Sequence, residues 1–208
     1  MLMDALYCHP VEFTKSPLLP SIVQAVLGSL ALELENPLTA VLHFLRDLLG
    51  YAVGHVPSAM ESDVPDEIKN TIRGIISING TALCCLLMSG MIFTFPRDCV
   101  TDGAGALMTL IEMDPESSDD WIADSLSNLP SGNFSSDECL RFNNQIRVYL
   151  SVPSRPLLTA SAAKSKNYRR IQMKIEVFVA LYHRRVISHR NKSSGKGIGG
   201  EMAFICKT

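Results

Sequence analysis

The feature that most restricts the fold of this chain is a series of apolar stripes with helical spacing. Apolar residues recur every three or four positions in successive segments, which Pro or Gly residues separate. The first stripe occupies positions 18, 22, 26, 30 and 34, and a second column lies at 19, 23, 27 and 31. No segment shows sustained alternation of apolar and polar residues bounded by hairpin turns. The pattern predicts an all-α fold.

Capping residues and prolines predict where the helices begin and end. Gly80 is expected to divide the helix that begins near Pro65 from a more uniformly apolar helix at residues 81–93, which Pro96 ends. A last helix is expected to carry the apolar residues between Ile171 and Val186. The predicted helix starts are Asn36 with Pro37, Pro65 with Asp66 and Glu67, Ser117 with Asp120, and Ser135 with Glu138.

The spacing of the helices suggests a repeat architecture. Predicted helix pairs begin near residues 18, 65, 98 and 136, at intervals of 47, 33 and 38 residues. HEAT and armadillo repeats have periods of about 40–47 residues, and such pairs bury their apolar faces only by stacking. We therefore expect a HEAT/armadillo-type α-solenoid of about four antiparallel pairs over residues 1–150. A loop at 151–167, a final basic helix at 168–190 and a disordered tail at 191–208 are expected to follow.

Charge is distributed unevenly along the chain. Residues 1–150 carry 7 Lys and Arg against 19 Asp and Glu, a net charge of −12, whereas residues 151–208 carry 12 against 2, a net charge of +10. An overall composition of 47% apolar and 19% charged residues excludes a disordered chain. An acidic body followed by a basic segment favours macromolecular partners over a small-molecule ligand.

One long segment has no charged residue. Residues 74–96 are 23 uncharged residues, which is long enough to span a bilayer. Polar and small residues interrupt the segment, among them Ser77, Asn79 and Ser89. We favour a buried helix over a membrane span.

The sequence contains no convincing catalytic, cofactor or metal site, so we do not expect an enzyme. Residues 195–200 formally match the pattern GxGxxG, but a dinucleotide site needs a strand before the glycines and a helix after them. Cys84 and Cys85 are expected to be two buried thiols, because adjacent side chains diverge in a helix. His183 and His189 have no metal-ligand partners at suitable spacing.

Several short segments, in their order and spacing, resemble the C-terminal HEAT repeats of the karyopherin-β (importin-β) superfamily. Within it, the chain resembles the transportin-SR branch, which includes importers of mRNA-binding proteins, over about residues 4–146. Residues 150–177 and 195–208 depart from the pattern. The matching segments are Ser16-Pro17-Leu18-Leu19, Asn36-Pro37-Leu38, His43-Phe44-Leu45-Arg46-Asp47, Phe95-Pro96, Trp121-Ile122-Ala123-Asp124-Ser125-Leu126, Leu129-Pro130 and Tyr182-His183-Arg184-Arg185.

The resemblance implies a nuclear import receptor that shuttles between nucleus and cytoplasm. Such receptors carry protein cargo, including SR-type splicing factors and other RNA-binding proteins, through the pore. They bind nucleoporin FG repeats, and Ran-GTP releases the cargo. The family makes its main Ran contacts in N-terminal repeats that this sequence lacks, and its arginine-rich cargo helix would lie upstream of Met1. We therefore expect the chain to be an incomplete part of such a receptor.

Five residues are candidate partner contacts: Phe44, Arg46, Asp47, Arg184 and Arg185. Arg46 and Asp47 lie beside an apolar face, where they would contact a partner on the inner helix surface or form charge pairs between stacked repeats. Phe44 lies outside the main stripe, so it would bind a partner or pack on the next repeat. Arg184 and Arg185 belong to a basic segment that would bind RNA or an acidic partner, fold against the acidic body, serve as a localisation signal or stay solvated.

Two other hypotheses compete with the import receptor. The first is a stand-alone helical-repeat scaffold that binds an acidic or RNA-containing partner through its basic C-terminal tail. The second is a membrane protein anchored by residues 74–96.

Overall fold

All regular structure that the computed structural model describes is helical, as the apolar pattern predicts. The description covers residues 2–54, 64–129, 135–150 and 160–194. The helices are α1 (Leu2–Cys8), α2 (Pro10–Lys15), α3 (Leu19–Ser29), α4 (Glu35–Val53), α5 (Asp66–Ser89), α6 (Val100–Met113), α7 (Pro115–Ser127), α8 (Ser136–Leu150) and α9 (Ala160–Ser194).

The helices contact one another along two rows. In one row α1 contacts α4, α4 contacts α6 and α6 contacts α9. In the other, α2 and α3 contact α5, α5 contacts α7 and α7 contacts α8. Contacts of α4 with α5, α6 with α7 and α8 with α9 join the rows. A single cluster of buried apolar side chains extends through both, from Leu6 to Tyr182.

The first helices differ from their predicted bounds. α3 ends at Ser29, before the end of its predicted stripe, and Leu34 remains exposed. α4 begins at Glu35 rather than Pro37, and no side chain caps it. Asn36 therefore lies inside the first turn, and Pro37 fits there because the first N–H groups of a helix have no partner within the helix.

The predicted division of α5 at Gly80 is wrong, because α5 continues through that residue to Ser89. Gly80 is buried, and a Cβ atom at this position would lie only 2.2 Å from Cζ2 of Trp121 on α7. The glycine therefore allows two helices to approach closely and does not end a helix. The predicted start holds: Pro65 occupies the N-cap position, and Asp66 and Glu67 lie in the first turn.

A π-helical turn, Gly90–Thr94, extends α5. The N–H of Phe95 donates to the carbonyl oxygen of Gly90 at 2.7 Å, five residues back. Pro96 stops the helix as predicted, since proline has no N–H with which to continue it. A short 3₁₀ turn, Arg97–Cys99, then leads into α6.

Among the described residues, the stretch Asp66–Thr94 is long and apolar enough to cross a membrane by length and composition. Half of its most apolar window is buried inside the protein. Because α4, α6 and α7 pack against α5, this burial favours the core-helix interpretation over the membrane span.

The two predicted capping boxes have different outcomes. Asp114 caps α7 by accepting from the N–H of Ser117 at 3.1 Å, so Ser117 is not the cap but lies in the first turn. Ser135 and Glu138 do form a capping box at the start of α8. The N–H of Ser135 donates to Oε2 of Glu138 at 3.0 Å, and the N–H of Glu138 donates to Oγ of Ser135 at 3.3 Å.

The final helix is longer than the predicted residues 168–190, because α9 extends from Ala160 to Ser194. Residues 160–167, predicted to belong to a loop, and residues 191–194, predicted to belong to a tail, are therefore helical. Residues 151–159 and 195–208, the remainder of that predicted loop and tail, lie outside the described residues, and the GxGxxG match lies there too.

Candidate partner-binding surfaces

Phe44 lies in the core and not at a contact surface. Its side chain is 4% exposed, and its ring packs edge-on against Phe13 of α2, with ring centroids 6.2 Å apart. Of the two predicted roles, packing on a neighbouring helix is the one that the structure shows.

Arg46 and Asp47 belong to a polar cluster between α1 and α4. Nε of Arg46 donates to Oδ1 of Asp47 at 3.1 Å, and the Tyr7 hydroxyl donates to Oδ2. The Asp47 side chain is 18% exposed, whereas that of Arg46 is 40% exposed. Both Asp47 oxygens are therefore engaged inside the chain, and Arg46 is the member of the pair that a partner can reach.

Three tyrosines surround this cluster. Burial and the hydrogen bond to Asp47 raise the pKa of Tyr7 to about 12. The Tyr51 hydroxyl donates to the carbonyl oxygen of Leu6 at 3.3 Å, and burial raises the pKa of Tyr51. Burial also raises the pKa of Tyr168 on α9. These phenols stay protonated at neutral pH, so they act as hydrogen-bond donors that tie α1 and α9 to the rest of the molecule.

Contacts between basic and acidic side chains of neighbouring helices exist, but they use other residues than Arg46 and Asp47. Nζ of Lys15 on α2 lies 3.2 Å from Oε1 of Glu67 on α5. Nε2 of His43 on α4 lies 3.2 Å from Oδ1 of Asp102 on α6. Arg46 and Asp47 pair with each other within α4 and are not the predicted charge pairs between stacked repeats.

The two candidate arginines on α9 have different environments. Arg185 forms a bidentate pair with Glu138 on α8, with N–O distances of 3.0 and 2.8 Å. The Arg185 guanidinium and the capping-box hydrogen bonds lower the pKa of Glu138 to about 2. Arg184 is exposed. Arg185 therefore holds two helices together, and Arg184 is available for an external contact.

Three directional hydrogen bonds attach α9 to the preceding helices. The Tyr168 hydroxyl donates to the carbonyl oxygen of Gly105 at 3.2 Å, and the Gln172 amide donates to that of Thr101 at 3.0 Å. Nδ1 of His183 donates to the carbonyl oxygen of Ile92 at 2.9 Å. Four residues after Ile92 comes Pro96, which has no N–H, so this carbonyl depends on His183 for its partner.

The two adjacent cysteines of α5 are only partly as predicted. Cys84 is buried, which raises the pKa of its thiol to about 12. Cys85 is half-buried, and its sulfur accepts a hydrogen bond from the Ser125 hydroxyl at 3.3 Å. Both are free thiols. Within the described parts of the chain, no group of three or more His, Cys, Asp or Glu side chains is placed to hold a metal ion.

The sequence did not reveal which residues of distant segments pair with each other. Tyr7 and Asp47 are 40 positions apart, and Glu138 and Arg185 are 47 apart. No local spacing signals such pairs. The capping box at Ser135 was the one available sign that Glu138 has a structural role.

No family model matches the sequence. The chain is similar to the uncharacterized protein C11G11.07 of Schizosaccharomyces pombe, with 30% identity over 196 residues. The match covers 92% of this chain and 19% of the yeast protein, so the chain spans about a fifth of the length of that relative.

Proposed function

We propose that the chain is a stretch of an α-solenoid that acts as a binding scaffold in nuclear import. The observation that carries the solenoid is that the central helices pack on the next-but-one helix: α4 on α6, and α5 on α7. This is how stacked helix pairs share one core in a repeat protein, where each unit contacts mainly its neighbours.

The length of the yeast relative supports the proposal that this chain is one part of a longer array of helical repeats. A region corresponding to nearly the whole of this chain forms 19% of that protein. Solenoids add repeats without changing the fold of those already present. A longer array would supply the further surfaces that an import receptor needs.

The assignment to nuclear import rests on the resemblance to the transportin-SR branch of the karyopherin-β superfamily. Such a receptor would act by binding and not by catalysis. A curved scaffold would bind protein cargo and FG repeats, and Ran-GTP would release the cargo. The net charge of −12 on residues 1–150 supports basic cargo, because a surface of one sign attracts partners of the other.

Binding of FG repeats tests this function most directly. The purified chain, shown to be helical by circular dichroism, is immobilised and exposed to an FG-repeat fragment. The control is the same fragment with every Phe replaced by Ser. We expect saturable binding that the control lacks.

A protein with an arginine–serine domain is then tested on the same surface, with and without Ran loaded with a non-hydrolysable GTP analogue. Binding of this cargo is expected to weaken with added salt. If the folded chain binds neither the FG fragment nor this cargo, the import function is wrong, and a scaffold for other partners remains.

A further inference from the structure

The exposed side of α9 carries an apolar stripe. Met173, Val177 and Leu181 follow one another at four-residue intervals and are 63%, 57% and 45% exposed. Residues four apart lie on the same side of a helix. The stripe is therefore a continuous surface about two turns long and not a set of scattered side chains.

This stripe faces away from α6. Val177 comes nine residues after Tyr168, and Leu181 comes nine residues after Gln172, and Tyr168 and Gln172 both bind carbonyls of α6. Nine residues make two and a half turns at about 3.6 residues per turn, which places such pairs on opposite sides of the helix. α9 thus has two apolar faces, of which α6 and α8 cover only one.

Positive charge surrounds the stripe. Arg169, Arg170 and Arg184 are exposed and Lys174 is half-buried, and none of the four forms an ion pair with a side chain in the parts of the chain that the structure describes. The one acidic residue of α9 is Glu176. The combination of an apolar centre with cationic edges is complementary to an amphipathic segment with acidic edges.

We propose that the stripe of Met173, Val177 and Leu181, with its flanking cations, is a docking surface for an acidic amphipathic helix of a protein partner. Apolar residues at i, i+4 and i+8 of that helix would pack on the stripe, and Asp or Glu beside them would pair with Arg170 and Arg184. This inference does not depend on the import function, but it requires that no further repeat of the proposed array stacks on this side of α9.

The composition of the surface favours a protein over a nucleic acid or a membrane. Single-stranded RNA is bound largely by stacking on exposed aromatic rings. The aromatic residues between 168 and 185 are instead buried or half-buried: Tyr168, Phe178 and Tyr182. Helices that insert into the membrane interface typically carry bulky Trp, Phe or Leu on their apolar face, whereas this stripe has a single Leu among Met and Val.

A second copy of the chain is also disfavoured as the occupant. Two α9 surfaces facing each other in a symmetric dimer would bring cationic edges together, and like charges across an interface oppose association. A partner of opposite charge avoids this cost.

Peptide display tests the proposal because it selects, from random sequences, those that bind the surface. The full chain is immobilised, and a phage library of random peptides about four helical turns long is selected on it. We expect the enriched peptides to be acidic and to have apolar residues at four-residue intervals. A synthetic peptide of the enriched sequence should gain helicity on binding, and its affinity should fall with added salt.

Two variants of the surface and two matched controls identify the site. Binding should weaken at least about tenfold in Met173→Ser/Val177→Ser/Leu181→Ser, which removes the apolar centre. It should also weaken several-fold in Arg170→Glu/Arg184→Glu, which reverses the charge but keeps the stripe. Ile78→Ser and Arg73→Glu, which change an exposed apolar residue and an exposed cation on α5, should bind as the wild type does.

The outcomes that would overturn the proposal are distinct. A selection that yields no enriched sequence would overturn it, as would peptides that bind both surface variants as tightly as the wild type. Binding of a poly(U) oligonucleotide that is lost only in the charge variant would assign the cations to RNA. Binding to vesicles of anionic phospholipid that both variants lose would assign the surface to a membrane. Dimerisation in sedimentation that the apolar variant abolishes would assign the stripe to a second copy.

Discussion

Trp121 can pack against α5 only because residue 80 has no side chain. A Cβ atom at Gly80 would lie 2.2 Å from Cζ2 of Trp121 and 2.4 Å from Cε2, well inside van der Waals contact. The ring cannot move away freely, because Trp121 is itself buried. A residue that looks like a helix breaker in the sequence is thus a packing requirement of two helices.

Gly80→Ala should therefore destabilise the protein, although alanine is the better helix former. Overpacking costs about 1–3 kcal/mol, and the gain in helix propensity returns at most about 1 kcal/mol. Gly74→Ala is the matched control on the same helix, because nothing lies within 4 Å of its Cβ position. That control should be stabilised by about 0.5–1 kcal/mol. Urea unfolding of the two variants measures both effects, and equal shifts would contradict the packing argument.

The pair of Glu138 and Arg185 should make stability depend on pH in the acidic range. The pKa of Glu138 is lowered from 4.5 to about 2, chiefly by Arg185. A carboxyl whose pKa is lower in the folded state stabilises the fold above its unfolded pKa, and this contribution is lost as pH falls towards the folded value.

The wild type should thus be more stable than Glu138→Gln at pH 6, and the difference should shrink between about pH 4.5 and 2. Asp137→Asn changes the neighbouring carboxylate and should show a weaker dependence. Thermal unfolding at several pH values measures the difference. A gap between wild type and Glu138→Gln that does not change with pH would show that the pair does not supply it.

At the scale of the elements, the sequence predicts the presence of helices better than the residues at which they begin and end. The apolar spacing located α6, α7 and α8 because a Pro or a capping residue lies close to the first or last residue of each of these helices. It failed at Gly80, where tertiary packing overrides the local preference, and at Asn36, where a helix begins before the apparent cap. It left the role of Phe44 open between partner binding and packing, because a residue outside the main stripe is buried only when a further helix covers it, as α2 does here.

The candidate site was less predictable than the fold, for a physical reason. Arg185 and Arg184 are adjacent in the sequence and equally basic, yet Glu138 engages only Arg185. That distinction depends on how α8 lies on α9. A single sequence gives charge and helical face but not the neighbour across an interface.

Phe178 should act as the main anchor of α9. Its ring stacks on Phe142 of α8 with centroids 4.0 Å apart, and Tyr182 lies beside it at 6.4 Å. Phe178→Ala should cost about 3–5 kcal/mol and should increase amide hydrogen exchange in α8 and α9 more than in α4 and α6. Val177→Ala changes the adjacent, exposed residue and should have little effect. Equal loss of protection in all four helices would mean that α9 is not a separately anchored element.

At the scale of the whole molecule, the proposed solenoid predicts that each helix pair contacts mainly its neighbours. Stability then resembles a sum of local terms, and the ends of the array open more easily than its middle. The N-terminal helices α1 and α2 are short, and α9 is held by one face. Local unfolding should therefore begin at these ends, and the helices α4 to α7 should unfold last.

Trp121 offers a local probe of the middle, since it is the one tryptophan in the chain and its ring on α7 packs against Gly80 of α5. Circular dichroism reports all helices together. In urea, the loss of ellipticity should begin before the change in Trp121 fluorescence, and Phe178→Ala should widen the separation. Coincident transitions by both probes in both proteins would indicate one cooperative unit and contradict the picture of local terms.

The hydrogen bond from His183 to Ile92 has a consequence for how α9 is positioned. Apolar packing alone does not determine where a long helix sits along its own axis, because sliding by one turn of about 5.4 Å exchanges one set of apolar contacts for another. The donors of Tyr168, Gln172 and His183 meet three separate carbonyls. Only one position of α9 along its own axis allows all three hydrogen bonds to form. The carbonyl of Ile92, which Pro96 leaves without a helical N–H donor, therefore helps to fix the position of α9 along its axis. That position also determines where each outward-facing residue of α9 is exposed to solvent.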